Sequence, residues 1–416
     1  MKKSLVALAA LGAFAGSVHA QSSVTVYGIM DVGFTKIEGV NGATSSASNP
    51  NGAKTTVSSF NTGNLATSRL GFRGVEDLGG GTRASFVAEI GLSPTSNGFS
   101  GSSNMASSPL GSTYPHNSNA VDNRQSYLGL AQKGLGEARI GRQYTPVHEA
   151  MCAQNAGQCN GIAGDMIYSG ANSSSTRTVA NGIGTAAQIR ASNSITYRTD
   201  NIQGFQLTGL YSVNNTSITD TATATTVTGL GAINYRMGGG NIAYTGIKNL
   251  DVRFGTQVTT MNRDNANTTT AANALLGNSF ISATPAVTTI QRAAQRDQYA
   301  GISYDFGVAK LALQQVVLEV EALNALTVKK TSNQVAVTAP VSKSLNAWAS
   351  YGQGKYRSST SAREDNFSGY QAGAQYMLSK RTSLYAIYGA AKQDAVTAGN
   401  IDYKDTQYSI GARHSF

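Results

Sequence analysis

The feature that most constrains this chain is a two-residue rhythm of apolar and polar side chains. It is plainest in the last ten residues, Gln407 to Phe416, which read QYSIGARHSF. Tyr408, Ile410, Ala412, His414 and Phe416 fall on one side, and Gln407, Ser409, Gly411, Arg413 and Ser415 on the other. A β-strand shows successive side chains to opposite faces, so the segment reads as a strand with one mostly apolar face and one polar face. The stretch Thr82–Leu92 repeats the pattern, with Ala84, Phe86, Ala88, Ile90 and Leu92 facing one way and Arg83, Ser85, Val87 and Glu89 the other. The 46 Gly and 19 Tyr, with only 13% charged residues, suit strands that bury a single face. No change in composition marks a second domain.

The first twenty residues are set apart. Lys2 and Lys3 precede the 12-residue apolar run Leu5–Gly16, and Val18-His19-Ala20 places small residues where a signal peptidase cuts. Residues 1–20 are therefore expected to be a secretory signal peptide and residues 21–416 a single exported domain. Removing Lys2 and Lys3 takes the net charge from +10 to +8. The run is too short to cross a bilayer as a helix, and no other stretch approaches the required 18 or so apolar residues. Cys152 and Cys159, the two cysteines, enclose AQNAGQ. An exported chain meets an oxidising compartment, so a local disulfide is expected. A metal site is not, because no His, Cys, Asp or Glu lies between them.

Strand-like segments recur along the chain, joined alternately by tight turns and long polar connections. They include Val24–Lys36, the run through Ser68–Arg73, Thr82–Leu92, Arg124–Gln132 and Ala138–Tyr144. A connection of roughly Thr145 to Ala187 follows, carrying both cysteines; unstructured connections of that length are usually functional or disordered. The pattern resumes at Arg190–Thr199, Phe205–Asn214 and Gly229–Met237. Between 238 and 260 a turn fits either at Met237–Gly240 or at Lys248-Asn249, and 322–345 is similarly open, with one weak strand and a turn expected near Val335–Val341. Gln298–Phe306, Ala309–Glu319, Leu345–Tyr356, Tyr370–Leu378 and Thr382–Gly389 lead to the final strand. The count is about sixteen, which fits a closed antiparallel β-barrel. Such a barrel crosses a membrane without any long apolar segment, because every second residue can face water. Tyr370 and Tyr376, in phase with Ala372, Ala374 and Leu378, read as part of an outward apolar band with interfacial aromatics.

Particular stretches carry a resemblance. SVTVYGIMDVGF, SRLGFRGVEDLGGGTRASFVAEIG, RQSYLGL followed by GRQYTP, RTSLYAIY and the ending GARHSF together resemble the Gram-negative general diffusion porins, closest to the betaproteobacterial branch. The match is dense over Ser22–Tyr144 and the last fifty residues and sparser between. The resemblance implies an all-β, sixteen-stranded transmembrane barrel that assembles as a homotrimer in outer-membrane lipid. It implies a water-filled channel passing small anions and hydrophilic solutes, narrowed by a third external loop, whose place the 145–187 connection takes. A C-terminal Phe416 is what the barrel-assembly machinery reads in such proteins. The resemblance also implies that Arg69, Arg124 and Arg190 form the basic wall of the constriction.

Alternation supplies the other candidates. Leu70 and Phe72 outward place Arg69 and Arg73 in the lumen; Arg83 and Glu89 follow from the Thr82–Leu92 phase; Ile195 and Tyr197 outward place Arg190 and Arg198 inside. Tyr127 outward would put Arg124 inside, and Asp31 shares the phase of Thr25 and Thr35. Arg142, in phase with Ile140 and Tyr144, is expected to meet a neighbouring subunit. In the long connection the acids are Glu149 and Asp165, with Asp165 the preferred partner of the arginines. So few acids facing so many arginines predicts a preference for anions.

Enzymatic readings find little support. Beyond His19 the histidines are His116, His148 and His414, each in a different segment, and neither a GxSxG elbow nor an HExxH motif occurs. No cofactor is called for. The positive charge comes without a basic run, so no nucleic-acid partner is expected. The rival reading is a secreted β-rich adhesin or surface structural protein, which would stay soluble without detergent.

Overall fold

The computed structural model describes residues 23–41, 53–95, 122–168, 189–215, 233–263, 292–322, 326–358, 361–394 and 402–416. The expected signal peptide lies outside them. The described strands are β1 (Ser23–Asn41), β2 (Ala53–Thr62), β3 (Arg69–Gly79), β4 (Thr82–Gly91), β5 (Asn123–Gln132), β6 (Gly136–Tyr144), β7 (Arg190–Thr199), β8 (Phe205–Asn215) and β9 (Ile233–Tyr244). They continue as β10 (Leu250–Arg263), β11 (Arg292–Asp305), β12 (Lys310–Ala322), β13 (Leu326–Pro340), β14 (Leu345–Ser358), β15 (Ser361–Met377), β16 (Thr382–Gln393) and β17 (Tyr403–Ser415). All belong to one antiparallel sheet that closes on itself through β1 and β17. β1 pairs with β3 over Ser23–Ile29 and with β2 over Val32–Asn41, so β2 and β3 are two halves of one stave. Seventeen strands thus make a sixteen-stave barrel. β2 lies in the connection that alternation leaves between Val24–Lys36 and Ser68–Arg73, because its Thr/Ser-rich run lacks a clear apolar face.

Closure is made at the C-terminus. Gly28 and Phe416 exchange backbone hydrogen bonds, Gly28 N to Phe416 O and Phe416 N to Gly28 O, each 3.1 Å. A Cβ at Gly28 would run into the Phe416 ring, so that position requires glycine. Along β17, Tyr408, Ile410 and Phe416 are exposed on the outer face, while Gln407 and Ser409 are buried on the inner. The outer tyrosines gather: Tyr370 Oη lies 3.2 Å from Tyr388 Oη, and the Tyr388 and Tyr408 ring centroids are 5.0 Å apart. Rings with an apolar body and a polar tip suit the boundary between lipid and water.

The turn in the ambiguous 238–260 region falls at 245–249, where Asn249 takes a left-handed φ of +68°. Asn tolerates that conformation with little strain. The weak strand expected near Val335–Val341 is instead a full 15-residue strand, β13.

The long connection opens with a helix the period-two reading missed, α1 (Pro146–Gln154). Thr145 caps it by accepting a hydrogen bond from His148 N at 3.3 Å, Pro146 sits in the first turn, and Glu149 meets the positive end of the helix dipole. α1 lies inside the barrel against β9–β12. There Val147, Ala150 and Met151 join Met166 and Ile167 in a cluster with the inward Val316, Leu318 and Val320 of β12. Past the helix, wall glutamines hold the loop backbone. Met166 N donates to Gln334 Oε1 at 2.8 Å, Ala163 N to Gln407 Oε1 at 3.0 Å, and Gln371 Nε2 to Ile162 O at 3.0 Å. A Cβ at Gly389 would collide with the Ala163 carbonyl, which explains glycine on the wall where the loop touches it. Cys152 and Cys159 form a disulfide, Cα–Cα 5.5 Å, within this segment.

Candidate functional site in the lumen

Between the inward loop and the wall from β3 round to β10 lies a cavity of about 460 Å³. Arg69, Arg124, Arg190, Arg198 and Arg253 line it, with one carboxylate, Glu149, among the described residues. The arginines are held extended by specific partners. Arg124 Nε donates to Glu89 Oε1 at 2.7 Å and its Nη2 to Tyr144 Oη at 2.8 Å. Arg69 Nη1 is 4.0 Å from the same Glu89 oxygen, and its Nε donates to the Thr67 carbonyl at 2.9 Å. The Arg190 guanidinium stacks over the Tyr144 ring at 5.0 Å. Arg198 is ion-paired with Glu149, and Arg253 Nε is 2.8 Å from Asp251 Oδ1. A guanidinium that uses part of its donor fork on a partner keeps its remaining donors and its full charge for whatever enters the cavity.

The carried-over residues Arg69, Arg124 and Arg190 therefore stand together. For Arg124 the route differs from the sequence argument. Tyr127 faces the lumen, with Arg139 stacked over its ring at 5.0 Å. Arg124 turns inward because the β4–β5 ladder shifts register between Glu89 and Ile90. A bulge breaks the alternation there, and strict period-two phasing cannot see it. A second irregularity, between Gly141 and Gln143, separates Tyr144 from the phase of Ile140. Arg142 donates to the Asn123 carbonyl at 2.7 Å and to Ser192 Oγ at 2.6 Å.

Other candidates scatter. Glu89 is 3% exposed and also accepts from Tyr27 Oη at 3.1 Å. Asp31 is wholly buried: it accepts from Leu65 N at 3.1 Å, Ala66 N at 2.7 Å and Tyr385 Oη at 2.7 Å. Rather than presenting a charge to the channel, it pins the 63–68 break between β2 and β3. Arg73 is exposed beside Tyr27, its Cζ 5.4 Å from the ring centroid, and Arg83 is exposed opposite Asp77 near the short β3–β4 turn. Asp165 requires a correction. Its Oδ1 accepts from Ile167 N and Tyr168 N, both 2.9 Å, and its Oδ2 from Asn155 Nδ2 at 2.6 Å. The carboxylate folds its own loop, and Glu149 is the loop acid that meets an arginine, Arg198.

Arg253 and His148 also line the cavity and were not among the sequence candidates. Arg253 fell in the stretch of open register, although Val252 and Phe254 outward would have placed it inside. His148 is buried in α1, its ring stacked on Tyr144 with centroids 4.9 Å apart. Burial, with Arg190, Arg124 and Arg69 adding to it, pushes the imidazole pKa down to about 3, so it is neutral in ordinary buffers.

Comparison with known proteins now bears on this geometry. The profile of the Gram-negative porins matches residues 7–396. The chain belongs to the Gram-negative porin family. Outer membrane porin protein 32 of Delftia acidovorans is 28% identical to this porin over 435 aligned residues, with both chains covered in full. An outer membrane porin protein of Bordetella pertussis is 26% identical over 446, again end to end. Among solved structures, the anion-selective porin from Comamonas acidovorans superposes with a TM-score of 0.64 at 23% identity, covering 95% of this porin and 100% of that chain. The trimer form of OmpT from Vibrio cholerae gives 0.60 at 14%, covering 95% and 99%. The protein is thus an outer-membrane channel for passive diffusion and not an enzyme.

Proposed function

We propose that this porin passes small hydrophilic solutes with anions favoured, and that the described part of the long connection, residues 145–168, narrows its passage. The observation that carries the reading is the lumen cavity where five arginines face one carboxylate. Glu89 and Asp251 stand behind the arginines and leave the set net positive. Charges in a narrow aqueous passage walled by protein act more strongly on an ion than the same charges in bulk water, because the surrounding dielectric is low. Cations are repelled from the passage and anions concentrated in it. The anion selectivity in the description of the Comamonas relative supports the same direction.

The chain is made with residues 1–20 as its export signal, Phe416 serves the assembly machinery, and the working unit is a homotrimer, which the trimer form of the Vibrio relative supports. Reconstitution in a planar bilayer tests all but the export steps together. Under a salt gradient the reversal potential should carry the sign of anion permeation, and single insertions should show three equal conductance levels. Cation preference would overturn the proposal.

A further inference from the structure

The disulfide stands on the wet face of the inward loop. Cys152 and Cys159 both line the arginine cavity, together with Ala153 and Gln158. The two cysteines are half-buried and Ala153 and Gln158 are exposed, whereas Met151, Gln154, Asn155, Gly157 and Asn160 around them are buried. The packed face is secured without the bridge. Gln154 Nε2 donates to the Asp251 carbonyl at 2.7 Å, Asn160 Nδ2 to Gln371 Oε1 at 2.6 Å and Asn155 Nδ2 to Asp165 Oδ2 at 2.6 Å. Gln158 and Cys159 also take left-handed φ values of +58° and +54°, unusual for two successive residues with full side chains. Such backbone persists only where its surroundings hold it, so opening the bridge lets this turn relax.

Thiol–disulfide exchange needs a thiolate, access to one sulfur and a leaving sulfur that can carry the electron pair. The cavity supplies all three. Its five arginines concentrate anions and favour the thiolate form of a thiol that enters. Glu149 opposes them and is itself engaged by Arg198. Ala153, the residue after Cys152, puts only a methyl group beside the bridge, and Gln158 is a long side chain free to swing on the exposed side. Cys152 Sγ lies 3.7 Å from each ring nitrogen of His148, so whichever nitrogen carries the hydrogen can turn it toward a departing thiolate. An exported chain meets an oxidising compartment, so the closed bridge is the resting state and the reacting thiol has to come in through the passage.

We propose that the Cys152–Cys159 bridge is a covalent capture site for small anionic thiols, compounds carrying a carboxylate or sulfonate beside the SH group, that enter the channel. The entering thiol gives its proton to solvent and its sulfur attacks Cys159 Sγ. The S–S bond breaks with its electron pair passing to Cys152 Sγ, which takes a proton from solvent. One disulfide is exchanged for another, with no net oxidation, and re-attack by Cys152 expels the thiol and restores the bridge. While bound, the captured group adds bulk and negative charge to a cavity of about 460 Å³, so it narrows the passage and offsets the arginines. The selection by charge rests on the lumen being anion-preferring, as proposed above. Oxidised, detergent-solubilised porin is treated with 2-mercaptoethanesulfonate, neutral 2-mercaptoethanol or cationic cysteamine, quenched with N-ethylmaleimide and weighed intact, with rates expressed per thiolate. One thiol and one maleimide per chain are expected, with the sulfonate at least roughly tenfold faster than cysteamine. Arg253→Glu should cut that ratio at least roughly threefold. The C152S/C159S pair should take up neither group, while heat-modifiable gel mobility reports a folded barrel. In a planar bilayer the sulfonate should lower conductance and move the reversal potential toward cations, and both should recover once free thiol is washed out. An adduct that forms only after unfolding would overturn the proposal, as would an adduct that changes neither conductance nor reversal potential. Equal rates for the three thiols on an anion-preferring channel would overturn the capture proposal alone, whereas a cation-preferring untreated channel would overturn the lumen reading and the charge selection together.

Discussion

The two sides of the barrel's inner wall both point side chains inward and carry opposite chemistry. On β3, β5 and β7 the inward set includes Arg69, Arg124, Arg190 and Arg198, and these side chains meet the cavity. On β12 the inward set is Ala312, Gln314, Val316, Leu318 and Val320, all buried because the loop lies on them. Inward therefore does not mean wet in this protein. An inward side chain is charged where it meets water and apolar or amide where it meets α1 and the segment after it. The loop is held to its side by packing and by wall glutamines, and its other side faces the arginines with Glu149 and His148. We therefore propose that position and selectivity of the passage are set by different halves of the wall.

The largest break in that division should come from the packing half. Leu318→Asp would place a carboxylate in the buried cluster with Met151, Met166 and Ile167, at a cost of several kcal/mol. The loop should detach, raising single-channel conductance and lowering selectivity together, while heat-modifiable gel mobility still shows a folded barrel. An unchanged conductance would mean that the packing does not set the aperture. Next comes the charged half. Arg124→Glu reverses a charge between Glu89 and Tyr144. The anion-to-cation permeability ratio should fall by roughly fivefold to tenfold with conductance changed far less, as read from the reversal potential.

His148 joins the halves, since it belongs to the loop and faces the arginines. Its pKa in the packed loop is lowered to about 3 from an ordinary value near 6.5. A released loop would take up a proton below pH 6.5 that the packed loop refuses, so loop packing is full above that pH and weakens as pH falls toward 3. The loss is on the order of 1 kcal/mol per pH unit across that window. Open-channel noise should therefore rise between pH 7 and pH 4, and His148→Gln, which cannot take up the proton, should flatten that dependence. A variant as noisy at pH 4 as the parent would assign the effect to the Arg198–Glu149 pair instead.

Most of the barrel was legible in the sequence because period two is a long-range signal, repeated in every stave. Legibility failed where a single residue breaks the repeat. The bulges at Glu89/Ile90 and Gly141/Gln143 depend on local pairing, and no count of alternating residues contains them. α1 was hidden because a nine-residue helix shows little more than two turns of its own period. Its Thr145-Pro146 start and Glu149 in the first turn were the readable signals. Asp165 misled for a different reason. A mid-loop Asp can fold its own backbone or face a partner, and only the amides of Ile167 and Tyr168 decide between them. The arginines were easier to place, because a side chain so costly to set against lipid leaves the lumen as its ordinary place on a spanning strand.

The smallest expected effect sharpens the comparison most. Arg73 shares the strand and phase of Arg69 but lies four residues along β3, about 13 Å away, and is exposed beside Tyr27. At 0.1 M salt the Debye length is about 10 Å, so a mobile ion in the passage should feel Arg73 weakly, and Arg73→Glu should move the permeability ratio by less than about twofold. At 0.01 M the screening length grows to about 30 Å, and the same substitution should then shift the ratio clearly. Arg124, 4% exposed and ringed by protein, is screened little by salt, so its reversal should act at both concentrations. A titration of salt against the two variants separates a charge that lines the passage from one that only colours the lumen. Parallel curves would mean that the arginine wall extends further along β3 than the cavity does.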